Sequence, residues 1–375
     1  MIGVKMNTIN NYLEVSELPN RADHLWRYTP WKRVHPTGKV KIIPDKVIEP
    51  RIKLLNLDGT GAPNGIELVR GEVDKIDLPD SDLVSTSFIK AITNESKWIL
   101  KTEGKFTSKE PILLEINAED DVNAIHLSLD IGERSEFEIV TIVKGNTNWM
   151  GLLRTGRIGK GSNINDITVG LQERGTLLRV DSISLGRDSQ FKTGTVSSGS
   201  ERTKADLRYK MGEIGSDLRV LGSILSRDSM HIDYHIEIQH EAPETFSRLE
   251  WHAACGGKSK TIGTGMLKVE NGSKGADASQ NFHNLLLSRN AEADGIPELE
   301  VLENEVVGCG HGIANGPIDE EQLFYLHARG FSPADARSAL IAAFLNSTLS
   351  KMGSPQVHEW LSKMLSSELK SMNTT

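Results

Sequence analysis

The sequence is short of the residue types that mark most specialised chains. Of its 375 residues only two are cysteine, Cys255 and Cys309. Two cysteines cannot build a disulfide framework, so the chain reads as one made for a reducing compartment, the cytoplasm. Lys and Arg number 43 against 51 Asp and Glu, a formal net charge of −8. Without a cationic excess the chain is ill suited to nucleic acid, because phosphate backbones are bound by clustered Lys and Arg. Long apolar runs are missing too. The longest, residues 339–345, holds seven residues, far below the ~20 that span a bilayer. Met1 to Asn11 are polar and contain no apolar signal core. There is no G-x-S-x-G elbow and no H-E-x-x-H pair. The acidic residues are scattered, and no two carboxylates can be set opposite each other as a hydrolase dyad.

What is present falls into three regions: 1–110, 111–317 and 318–375. The first is mixed. Between Asn20 and Trp31 three large aromatics, Trp26, Tyr28 and Trp31, sit in a short charged stretch. Pro30 and Pro36 forbid one long helix there, which predicts a short helix whose aromatics dock on the next domain. Residues 40–43, 52–57 and 65–69 have the composition of short strands, and 85–93 that of a helix.

The middle region is a succession of strand-like runs, among them 124–130, 137–143, 164–171, 177–185, 217–225 and 231–238. Small polar turns separate them: Gly132-Glu133-Arg134-Ser135, Gly159-Lys160-Gly161-Ser162, Gly186-Arg187-Asp188-Ser189 and Ser226-Arg227-Asp228-Ser229. Gly and Asp tolerate the left-handed angles of tight corners. The turns recur at intervals of about 27 residues or more, whereas a sandwich turns every 8–12. A loose period of this kind favours a β-solenoid, whose coils bury their inner faces by stacking; a sandwich is the alternative.

The last region switches to helix. Asp319 is placed to cap a helix through Phe324 and Tyr325, which Gly330 ends. Ser332-Pro333 starts a second helix with Ala336, Leu340, Ala343, Phe344 and Ser347 on one face. Ser354-Pro355 starts a third, carrying Val357, Trp360, Leu361, Met364 and Leu365. Three helices after a solenoid make a docking module or a cap over its unpaired strand edges.

Candidate chemistry is sparse. Gly256-Gly257-Lys258-Ser259 imitates the end of a phosphate-binding loop, but His252 stands where the first glycine is required. The following residues, 261–269, also look like a strand rather than a helix N-terminus. Any use of ATP therefore falls to a partner. His231, His235 and His240 lie on a strand-like run, but only the first two share a face. The cluster that stands out is Cys309-Gly310-His311. Thiolate and imidazole both ligate iron, zinc or copper, and at a spacing of two on a strand they point to one side. Two ligands do not complete a site.

Several segments resemble the SufB/SufD family of iron–sulfur cluster assembly subunits, in order and over roughly residues 240–345. They are Ser247-Arg248-Leu249-Glu250-Trp251, Asn284-Leu285-Leu286-Leu287-Ser288, Pro297-Glu298-Leu299-Glu300-Val301, Val307-Gly308-Cys309-Gly310-His311-Gly312, and Ile318-Asp319-Glu320-Glu321-Gln322-Leu323-Phe324-Tyr325-Leu326 followed by Ala328-Arg329-Gly330-Phe331. Upstream, Trp26-Arg27-Tyr28-Thr29-Pro30 is similar to the W-[KR]-Y-T of the SufD branch, as is the C-x-H-G form at Cys309. After His311 the chain departs from the family's G-A-T pattern, and His24 replaces a common Glu.

The resemblance implies a mainly β fold: an N-terminal mixed α/β region, a right-handed parallel β-helix and a C-terminal helical domain. It implies a non-catalytic scaffold that pairs with a SufB-like paralogue through the β-helix and binds a SufC-type ABC ATPase through Phe324, Tyr325 and Arg329. His311 and Cys309 would be ligands of a transient iron–sulfur cluster, completed by the partner. A homodimer of one SufB/SufD-like chain and a purely structural partner without metal ligation are the alternatives. A β-helical carbohydrate-active enzyme is the rival from another class, and the missing signal core speaks against it.

Overall fold

The computed structural model describes residues 18–72, 77–80 and 82–374; the reading of Met1 to Asn11 lies outside them. In chain order the strands are β1 (Arg51–Asn56), β2 (Ile66–Arg70), β3 (Trp98–Thr102), β4 (Ile112–Asn117), β5 (Asp120–Asp130), β6 (Glu136–Gly145), β7 (Thr147–Ile158), β8 (Asn163–Gln172) and β9 (Thr176–Leu185). There follow β10 (Gln190–Ser197), β11 (Arg202–Met211), β12 (Asp217–Ser226), β13 (His231–His240), β14 (Phe246–Cys255), β15 (Lys260–Val269), β16 (Asp277–Leu286), β17 (Glu292–Val301) and β18 (Gly308–Pro317). Sheet I has the order β1-β4-β6-β8-β10-β12-β14-β16-β18, and sheet II β2-β3-β5-β7-β9-β11-β13-β15-β17. From β4 and β5 onward each coil adds one parallel strand to each sheet, which is a β-solenoid.

Alternation builds the core. In β13 the residues Ile232, Tyr234, Ile236 and Ile238 join the inner cluster, while His231, Asp233, His235 and Glu237 lie between them on the outer side. The period predicted from the turns is the coil length. Glu136 stands opposite Asn163, Asp217 opposite Phe246 and Asp277 opposite Gly308, so coils lengthen from 27 to 29 to 31 residues. The corners keep the left-handed residue the turns call for: Arg134 (φ 53°), Gly161 (φ 64°) and Asp188 (φ 53°). The serine after each of them, Ser135, Ser162 and Ser189, is buried. Gly257 (φ 64°) is another such corner, packed on Asp228. That is why Gly256-Gly257-Lys258-Ser259 makes no phosphate cradle.

The two ends differ. At the beginning β1 runs antiparallel to β4 and β2 antiparallel to β3, so the reversed chain terminates both sheets. Residues 40–43 form no strand; they belong to the segment around Trp26 and Trp31, held by side-chain burial rather than by a ladder. Trp26 and Trp31 pack edge-on at 5.4 Å, and Trp31 continues through Phe88 to Trp149 of β7. Phe88 lies on α2 (Leu83–Ile92); α1 is the single turn Trp31–Val34. The predicted docking of this aromatic stretch on the solenoid is observed.

At the other end, among the described residues, no further strand lies beyond β17 and β18. The helices do not cover these edges. α3 (Glu320–Ala328), α4 (Pro333–Met352) and α5 (Pro355–Thr374) fold back instead, and α4 lies on the outer face of sheet I over β10, β12 and β14. Of the two expectations, a docking module or a cap over the strand edges, the described helices do not form the cap; they bury their apolar residues on the sheet face instead. Ile341, Leu345, Leu349 and Met352 of α4 and Val357, Leu361 and Leu365 of α5 share a cluster with Leu221, Leu225 and Val196. The α4 face anticipated through Ala343 and Ser347 is rotated: both are exposed, and the larger side chains at i, i+4 spacing face the sheet. The predicted caps hold, with Asp319 accepting from the amides of Glu321 and Gln322, and Ser332 from that of Asp335.

Candidate functional site

Cys309 and His311 lie on β18, the edge strand of sheet I. Parallel register with β16 sets Cys309 beside Ala278, His311 beside Gln280 and Ile313 beside Phe282. Those three β16 residues are buried in the solenoid interior. The side chains of Cys309, His311 and Ile313 therefore continue the inner face of the sheet into a last coil on which, among the described residues, no further strand is stacked. Cys309 is half-buried against the core cluster, and His311 is exposed at the mouth. Two residues apart on a strand, their side chains originate ~6.6 Å from each other on one face.

The mouth is braced from below. Gln280 reaches across the interior and its Nε2 donates to the carbonyl of Glu298 on β17, 2.8 Å away. Asn284 Nδ2 donates to Asn315 Oδ1 at 2.8 Å. His24, from the N-terminal segment, meets Glu298 at 3.3 Å on the outside. Around the opening Val301, Leu302, Val307 and Ile313 are exposed, Val307 by 74%. An uncovered pair of strand edges with an apolar rim is a surface suited to another chain.

Burial, and then the carboxylate of Asp277, push the Cys309 thiol above its ordinary value. Cys255 is raised as well, by burial in the core. A thiol-alkylating reagent applied to the native chain and read by peptide mass is expected to label Cys309 slowly and Cys255 only after unfolding. Equal labelling of both would contradict the assigned burial. Among the described residues no three His, Cys, Asp or Glu side chains converge as a metal site, so Cys309 and His311 stand as an incomplete pair.

Four other histidines singled out in the sequence, His231, His235, His240 and His252, are engaged structurally. His231 meets the Thr29 hydroxyl at 2.9 Å, and His235 Nδ1 meets Asp206 at 2.8 Å. His240 is held between Thr245 (2.7 Å) and Ser247 (2.8 Å), and burial brings it down to about 4. His252 lies under α4, stacked on Phe344 at 4.7 Å.

A second exposed feature is α3, which buries none of its residues. Phe324 is 75% and Tyr325 57% exposed, and the Arg329 guanidinium lies over the Tyr325 ring at 5.1 Å. Phe331 extends this apolar surface. Beneath α3 runs a cleft of about 380 Å³ lined by Leu286, Leu287, Ile318, Leu323 and Arg337. Among the described residues no helix is long and apolar enough to cross a membrane.

Sequence reasoning missed an ionic network inside the solenoid. Arg154 bonds Asp166 (2.5 Å), Thr168 (2.7 Å) and Asp181 (3.3 Å), while Arg179 holds Asp181 through two nitrogens at 3.0 and 2.6 Å. All four charged groups are buried.

Fold and site together define a β-solenoid that presents an open strand edge and an exposed helical face. Residues 114–344 match the SufBD core domain of the SUF system for FeS cluster assembly. The chain belongs to this SufBD family of iron–sulfur cluster assembly proteins. It is similar to the assembly protein SufD of Escherichia coli, with 23% identity over 354 residues, 87% of this chain and 84% of that one. A SufBD family protein of Mycobacterium leprae is 31% identical over 192 residues, 49% of each chain. One of Mycobacterium tuberculosis is 29% identical over 198 residues, 51% of this chain and 50% of the relative. The match thus spans about half the length of these mycobacterial relatives.

Proposed function

We propose that the chain is the SufD-like scaffold subunit of a cluster assembly complex, pairing with a SufB-like paralogue through the open end of its solenoid. The observation that carries this reading is the position of Cys309 and His311 on the inner face of the last, uncovered coil. A partner solenoid set against β17 and β18 would satisfy their edges and close the mouth, and its own side chains would complete the ligand set. The nascent iron–sulfur cluster is cargo, held by His311 and by Cys309 once its thiol has lost a proton. Because that thiol is raised, ligation by Cys309 is favoured by rising pH.

The exposed Phe324, Tyr325 and Arg329 are the docking surface for a SufC-type ATPase, whose cycle would reach the solenoid through α4. In this reading ATP is bound by the partner, and the phosphate-loop look-alike Gly256-Gly257-Lys258-Ser259 serves as a solenoid corner. Co-expression with the cognate SufB-like and SufC-type proteins tests the assignment. Phe324→Ala with Tyr325→Ala is expected to lose the ATPase from this subunit and retain the paralogue. Interface aromatics of this kind carry about 2 kcal/mol or more each, a loss of ~30-fold or more in affinity. Point substitutions are the right tool here: removing residues 318–375 would strip the apolar cover from sheet I. Retention of the ATPase in the double variant would refute the docking assignment. A homodimer formed in place of the paralogue complex would assign the chain to a homomeric system.

A further inference from the structure

The outer face of sheet I carries a groove used by neither the mouth nor the helices. It lies over the first halves of β8, β10 and β12, has a volume of about 310 Å³ and is lined by Asn163, Asn165, Gln190, Lys192, Asp217 and Arg219, with Phe191 in its floor. Register arranges the six polar side chains in two rows. Asn163 stands beside Gln190 and Gln190 beside Asp217; two residues on, Asn165 stands beside Lys192 and Lys192 beside Arg219. With strands ~4.8 Å apart and alternate residues ~6.6 Å apart, they form a grid about 10 Å by 7 Å.

Part of this grid is already engaged. Asn165 Nδ2 donates to Glu138 at 2.6 Å, and Arg219 Nε lies 3.4 Å from Asp217. Arg219 also rests on the Phe246 ring at 5.3 Å. Lys192, at the centre, is different: it is half-buried, yet among the described residues it forms no ion pair and no hydrogen bond. Burial and then the neighbouring Arg219 hold its ammonium below the ordinary lysine value, with Glu138 and Asp217 opposing from beyond contact. A partly desolvated cation without an anion is unfavourable. An oxygen anion placed on it would gain charge-assisted bonds from Lys192 and Arg219 and further donors from the rim carboxamides of Asn163 and Gln190. A lone carboxylate, Asp217, makes the lining a poor cation site.

We propose that this groove binds a phosphate-type oxyanion, as inorganic phosphate or a phosphate monoester, with Lys192 and Arg219 as its charge partners. The assignment is independent of the mouth and of α3. Calorimetric titration of the full chain at low ionic strength, with inorganic phosphate and separately with ribose 5-phosphate, is the test. Saturable binding is expected, weakened about tenfold or more by Lys192→Met and by Arg219→Gln, at an unchanged thermal midpoint. Lys144→Met is the control, its ammonium being paired with Glu115 at 2.7 Å, and should bind as the parent does. Equal affinity for both probes would make free phosphate sufficient, and tighter ribose 5-phosphate binding would assign the monoester. Binding of neither probe, or binding that survives both substitutions together, overturns the proposal. So does saturation by a glutamate-rich peptide with no response to phosphate. Acetylation of Lys192 in the parent chain, followed by mass spectrometry, needs no variant: phosphate should slow it, and an unchanged rate also overturns the site.

Discussion

Asp181→Ala is expected to cost the fold about 3–5 kcal/mol, the usual result of stranding a buried charge. Asp181 accepts two bonds from Arg179 and a third from Arg154 inside the solenoid. Its removal leaves Arg179 with the Thr195 hydroxyl at 3.2 Å as its remaining side-chain partner, and leaves two guanidinium charges facing one carboxylate, Asp166. Urea unfolding of parent and variant measures the difference. Replacing all four charged residues by Met and Leu of similar volume should cost far less, because the desolvation of every charge is removed along with the bonds. A loss below about 1 kcal/mol for Asp181→Ala would show that water reaches the network.

The same unfolding experiment repeated against pH has a defined sign. Burial alone would raise Asp181, but Arg179 and Arg154 outweigh it and hold the carboxyl below its ordinary value. Asp206 is likewise lowered, burial being outweighed by Arg208 and His235. The unfolded chain binds these protons more readily, so their contribution is full above about pH 4 and fades as the pH falls below it. Four histidines act earlier. Burial lowers His126 to about 3 and His35, His240 and His252 to about 4. They stay neutral when folded but take up protons near pH 6.5 when unfolded, so stability is expected to decline from about pH 6.5 towards pH 4. A flat profile across that interval would contradict their burial.

Much of the architecture is legible in the chain because solenoid geometry is written locally. His231-Ile232-Asp233-Tyr234-His235-Ile236-Glu237-Ile238 alternates without a break, and the corner residues Arg134, Gly161 and Asp188 recur one coil apart. The helix caps at Asp319 and Ser332 are local as well. What escapes is whatever depends on stacking. The i, i+2 rule puts Cys309 and His311 on one side, but their register with Ala278 and Gln280 decides that the side is the interior. Arg154, Asp166, Arg179 and Asp181 read as scattered surface charges until the coils superimpose them. Where the helices pack also depends on stacking: of the two expectations, a cap or a docking module, an edge of unpaired strands suggests the first, yet Ile341, Leu345 and Leu349 pack on the apolar outer face of sheet I.

That open edge makes the second large effect. Ile313→Lys places a charge in the mouth, where the Ile313 side chain lies at 3.1 Å from the position a Cβ on Gly295 would take. Inward-pointing charges at strand ends are a known bar to edge pairing. Ile313 is itself substantially exposed, so the isolated chain should keep its thermal midpoint, since a lysine there can reach water. Pairing with the proposed SufB-like partner should fall by ~30-fold or more, the loss expected for a buried interface anchor. His311→Ala separates assembly from ligation. It removes no large apolar contact, so pairing should survive while cluster formation in the complete complex drops. Even outer-sphere partners of metal ligands are worth about 10–100-fold in affinity, and a ligand should be worth no less. Two outcomes would divide the proposal. Normal cluster yield in His311→Ala with pairing intact removes His311 from the ligand set and leaves the scaffold standing. Normal pairing in Ile313→Lys moves the interface away from the mouth, and with it the source of the ligands that would complete the Cys309 and His311 pair.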